Sequence, residues 1–132
     1  MGKPNSLLQS AFAHMYFLML SADKIADMNE LDLGNKIIRL ENFDKSEVMK
    51  ELDRMSAVPR GEVYQDAINI LKSVSPEEQL KALAYAKMIG KVDGSLDETE
   101  SDLLYQIGAN ELNIKLPDIA KKEEILKLKI PQ

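Results

Sequence analysis

The chain has 132 residues, 45% of them hydrophobic, and carries a formal net charge of −5 with one histidine and no cysteine. That length buries one core, so a single compact domain is expected, and the acidic balance excludes the concentrated Lys/Arg surface that a nucleic-acid partner requires. Lack of cysteine excludes disulfides, thiolate catalysis and sulfur-ligated zinc, and suits a reducing cytoplasm, while a lone His14 excludes His-rich and paired Glu-x-x-His centres, so any bound metal is held by oxygen.

Near residues 6–21, Leu7, Leu8, Ala11, Phe12, Met15, Leu18 and Met19 recur at helical spacing. The spacing predicts a core helix rather than a signal h-region: His14 interrupts the apolar run, and the run is too short to cross a bilayer, so no stable membrane insertion is expected. His14 reads as a histidine on a mostly buried helix, and the bare Met1-Gly2 pattern with Ser6 is no basis for a myristoyl anchor. Further helices are predicted near 28–42, 45–57, 61–73, 76–91, 96–111 and 117–127. Their starts are marked by capping pairs: Asp27 with Glu30, Asp44 with Glu47, Ser75-Pro76-Glu77-Glu78, and Ser95 with Glu98. Val58-Pro59-Arg60-Gly61 and Leu116-Pro117 break the chain, no segment alternates as a strand, and methionines such as Met15, Met19, Met28, Met49, Met55 and Met88 fall where a helical core needs apolar filling. The expected fold is all-α, a compact bundle of about seven helices forming one domain over residues 1–132.

An acidic pattern occurs twice, seventy positions apart: Asp23, Asp27 and Glu30, then Asp93, Asp97 and Glu100. Apolar positions repeat at the same offset, Leu18 with Met88, Met19 with Ile89, Leu33 with Leu103 and Ile37 with Ile107. The expectation is a pseudo-twofold duplication of a helix-turn-helix, with units of roughly 7–57 and 76–127.

The second acidic copy, Asp93-Gly94-Ser95-Leu96-Asp97-Glu98-Thr99-Glu100, matches the latter half of an EF-hand loop, but the first two ligand positions would fall on Ile89 and Lys91, so an ordinary EF-hand is excluded. Another oxygen site is open to it: Asp97 and Glu100, three apart at a helix start, share a side with the turn that holds Asp93. Five acids and no base lie between positions 93 and 102, and crowded carboxylates repel unless something neutralises them. The alternative is that these acids only cap helices and complement the macrodipole. Symmetric packing would bring Asp23, Asp27 and Glu30 towards Asp93, Asp97 and Glu100, a set suited to Ca2+, Mg2+ or Mn2+.

The turn Val92-Asp93-Gly94-Ser95-Leu96 with Glu100, followed by Leu103, Leu104 and Ile107, resembles the repeated motif of the tellurite-resistance TerB family, and Ala22-Asp23 through Glu30 resembles its degenerate partner. The resemblance implies an all-helical, internally duplicated, cytoplasmic stress-associated protein whose acidic residues bind divalent cations, related to domains appended to J-domain co-chaperones. Lys24 stands where the second copy has Gly94, which weakens the first turn as a ligand.

No phosphate-binding glycine loop, nucleophile elbow or zinc-helix motif is present, and no catalysis is expected. The sequence therefore points to a non-enzymatic cation-binding stress protein, with a protein-interaction module, co-chaperone-like and capped by the same acids, as the alternative. Residues Lys115 to Lys129 carry five lysines against three acids, either solvated or docking to a second copy in a homodimer or to an acidic protein partner.

Overall fold

The computed structural model describes residues 6–22, 28–92, 94 and 96–130. Among them are seven α-helices and no strand: α1 (Ser6–Ala22), α2 (Met28–Leu40), α3 (Lys45–Ser56), α4 (Arg60–Lys72), α5 (Pro76–Gly90), α6 (Glu98–Leu104) and α7 (Leu116–Lys127), with a π-helical stretch (Tyr105–Glu111) continuing α6. The all-α bundle expected from the sequence is what forms.

Two helices make the centre. In α1 every residue from Ala11 to Tyr16 is buried, and in α5 every residue from Ala82 to Ala86 is, so both are enclosed on all sides, as a helix apolar around its whole circumference must be. Phe12 meets Tyr85 edge-on at 6.1 Å between ring centroids, and farther along both helices Met19 lies against Gly90, so α1 and α5 run in the same sense. The remaining helices are amphipathic and cover this pair: α3 and α4 pack on α1, α2 and α7 on α5.

Local chemistry explains most boundaries. Ser75 accepts from the Glu78 amide at 3.2 Å while the Glu78 side chain accepts from the Ser75 amide, and Pro76 occupies the first turn. At α3, Asp44 accepts from the Glu47 amide at 3.1 Å, but the Asp44 amide donates to Gln9 on α1 at 2.9 Å, so tertiary contact supplies a bond that the sequence assigned to Glu47. Asn42, at φ 58°, ends α2 in the left-handed conformation common after a helix, with the Phe43 amide reaching back to Ile38 O at 2.9 Å.

Two expectations need correction. The helix predicted near 96–111 starts at Glu98, capped by Asp97 and Glu100 rather than by a Ser95–Glu98 pair; Ser95 lies outside the described residues. Leu96 precedes the helix and packs on the core instead of opening the first turn. The same segment then widens into the π-helical stretch, where Leu112 donates to Ile107 O at 3.0 Å, and the buried Gly108 lets Ile119 of α7 approach closely.

Candidate functional site

Both acidic turns leave from the adjoining ends of α1 and α5, and Gly94, at φ 135°, takes a conformation that favours glycine. Asp23, Asp27 and Asp93 lie outside the described residues. Asp97, Glu100 and Glu30 lie within them.

Asp97 caps α6. Its Oδ1 accepts from the Glu100 amide at 2.8 Å, and Glu100 Oε1 accepts from the Asp97 amide at 3.1 Å. This reciprocal box turns the Glu100 side chain inward, where only 2% of the residue is exposed and Oε2 faces Gly90, in the same contact that brings Met19 and Leu96 together. Asp97 itself stays exposed. Glu30, in the first turn of α2, is 4% exposed and close enough to Tyr16 that its charge adds to burial in pushing the phenol up to about 12. Two carboxylates seventy positions apart in sequence are thus both buried against α1, at Tyr16 and at Met19, which are one helical turn apart.

Chemically, the capping bonds use one oxygen of Asp97 and one of Glu100, and a carboxylate has up to about four lone-pair positions. Among the described residues no three acidic or imidazole side chains converge as a metal-ligand group. A cation held here would draw its remaining ligands from the turns.

Basic side chains stand at the ends of α1 and α5. Arg60, opening α4, donates to Leu18 O at 2.9 Å and to Ser21 Oγ at 3.1 Å, satisfying the carbonyl end of α1. Lys91, capping α5, reaches Glu123 at 3.1 Å. His14 is buried with Nδ1 2.8 Å from Ser10 O, a local bond within α1. Met15, Met19, Met55 and Met88 are core, whereas Met28 is 79% exposed.

Sequence reasoning missed Glu123. It is 1% exposed and meets Lys91 at 3.1 Å, Lys127 at 3.3 Å and Lys87 at 3.4 Å. Burial works to raise its pKa, but the three lysines outweigh burial and hold it below the ordinary carboxylate value. The available signal was the four-residue spacing of Lys87 with Lys91 and of Glu123 with Lys127; their convergence across two helices was not legible. Glu41 was missed likewise: it accepts from Tyr85 and pairs with Lys81 at 3.3 Å, fastening the end of α2 to α5.

No helix of the described residues is long and apolar enough to cross a membrane. Comparison with known proteins finds no matching curated protein and no matching solved structure. A family model described as Tellurite resistance protein TerB does match, over residues 9–122. The span runs from within α1 to within α7 and takes in both acidic turns, and the chain belongs to the TerB family.

Proposed function

We propose that this protein is a non-enzymatic cytoplasmic stress-response factor of the tellurite-resistance type, whose acidic turns bind a divalent cation such as Ca2+, Mg2+ or Mn2+. The observation that carries the reading is the burial of Glu30 and Glu100, 4% and 2% exposed, each in the first turn of the helix that follows an acidic turn. Both carboxylates lie against α1 at positions one helical turn apart, and a hard cation takes such oxygen ligands, with Asp93, Asp97 and Glu100 as the stronger set and Asp23, Asp27 and Glu30 as the weaker copy. The parallel course of α1 and α5 supports reading the two units as a duplication that shares this end of the bundle.

The test is thermal unfolding of metal-free protein with each cation, beside Asp93→Asn and Asp23→Asn, since a ligand of the native state raises the midpoint by mass action. The expected result is a cation-specific rise that Asp93→Asn abolishes and Asp23→Asn reduces. No rise at millimolar cation, or equal rises in all three proteins, refutes it.

The second reading is an interaction module, favoured by the Asp97–Glu100 box, in which the acids act as caps. Its partner, another protein or a second copy, would use exposed apolar side chains such as Met28 and Leu31 on α2. Concentration-dependent sedimentation and a Met28→Glu variant test that reading.

A further inference from the structure

We propose that the cleft between α2, α5 and α7 binds a small amphiphilic anion, a carboxylate or phosphate group carried on an apolar body. The cleft encloses about 420 Å3, a volume in the range of small-molecule pockets. Lys36 of α2, Lys91 at the end of α5 and Lys127 in the last turn of α7 line it, with Glu123 as the acidic lining residue.

Among the described lining residues, three lysines face one buried carboxylate. The single carboxylate of Glu123 is shared by Lys91 at 3.1 Å, Lys127 at 3.3 Å and Lys87 at 3.4 Å, so it neutralises one ammonium in three. Among the described residues, the other acids paired with these lysines stand in solvent: Asp32 pairs with Lys36 at 3.3 Å and Glu124 with Lys127 at 3.7 Å, their side chains 66% and 73% exposed, where water screens the pairing. Because Glu123 is itself buried, it anchors Lys91 and Lys127 in position before any ligand arrives, which lowers the ordering cost of binding.

The lining between the lysines is apolar, made by Leu33, Met88 and Val92. An inorganic anion would meet the lysines and leave the half-buried Leu33 and Val92 uncovered. A neutral apolar molecule would cover them and desolvate ammonium groups without compensation. An anionic head on an apolar body satisfies both. The site requires no metal and stands apart from the cation reading, although Val92 and Gly94 place its edge at the second acidic turn.

The experiment is a titration of metal-free protein with octyl phosphate, octanoate, octanol and inorganic phosphate, following methionine methyl resonances. Met88 reports on the cleft and the exposed Met28 on adventitious surface binding. Saturable movement of Met88 without Met28 is expected with octyl phosphate or octanoate, whichever is tighter naming the head group, and affinity about tenfold lower for octanol and for inorganic phosphate. Lys36→Gln, which leaves the Glu123 cluster intact, is expected to weaken binding about fivefold with the midpoint of unfolding unchanged; Lys127→Gln replaces it if that variant fails to fold. Absence of a saturable Met88 shift with either anion, equal affinity for octanol or inorganic phosphate, or undiminished binding in the lysine variant overturns the proposal.

Discussion

Glu123 on α7 and Lys91 at the end of α5 meet at 3.1 Å, and this pair ties the last helix to the centre of the bundle. Glu123 is 1% exposed, so Glu123→Gln removes a buried charge that three lysines share. The lysines keep part of their hydration, which moderates the loss to about 1–3 kcal/mol, measurable by urea unfolding. The group's folded pKa is depressed below the ordinary 4.5. Its contribution is therefore complete above that value and is lost as pH falls through the folded pKa, and Glu123→Gln should flatten the acid limb of the stability profile. A variant as stable and as acid-sensitive as the parent would refute this.

Gly34 and Gly61 should respond oppositely to alanine. A Cβ at Gly34 would overlap the Tyr16 ring, with Cε1 2.9 Å away, and Tyr16 is 1% exposed and has little room to withdraw. Overpacking costs about 1–3 kcal/mol against about 1 kcal/mol gained in helix propensity, so Gly34→Ala is expected to destabilise or separate α2 from α1. A Cβ at Gly61, in the first turn of α4, meets nothing within 4 Å. Gly61→Ala should stabilise by about 0.5–1 kcal/mol. Thermal midpoints of the two variants check the signs.

The tyrosines make the fold sensitive to alkali. Burial, with Glu30, pushes Tyr16 up to about 12, and burial with the Glu41 hydrogen bond and charge pushes Tyr85 higher still, from an ordinary 10.0. For both, the folded state holds the proton more tightly than the unfolded chain. The stability they confer is complete below pH 10.0 and is lost as pH rises towards the folded values. In an alkaline titration read by tyrosinate absorbance and circular dichroism, Tyr16 and Tyr85 should ionise together with loss of helix. Ionisation of Tyr16 and Tyr85 in a protein that remains helical would contradict it.

Asp97 separates capping from cation binding. Asparagine caps a helix as well as aspartate does, so Asp97→Asn should keep the bond to the Glu100 amide and fold with a nearly unchanged midpoint without metal. Under the proposed function it should lose most of the cation-dependent rise. Asp97→Ala should cost about 1 kcal/mol without cation, and with cation should lose the same cation-dependent rise as well. A full cation response in Asp97→Asn would remove Asp97 from the ligand set.

The number of helices and several of their starts were legible in the sequence, because caps, proline positions and apolar spacing act within a few residues of one another. Ser75 with Glu78 shows this, since both halves of its box lie inside one turn. What only the tertiary structure decided involves partners distant in sequence. Gln9 completes the cap of α3, Leu96 packs inward and shifts the start of α6 to Glu98, and Gly108 sits in a π-helical stretch where α7 approaches. The cluster of Glu123 with lysines of α5 was invisible for the same reason: helix periodicity specifies which side chains share a face, but not which face of another helix that face will meet.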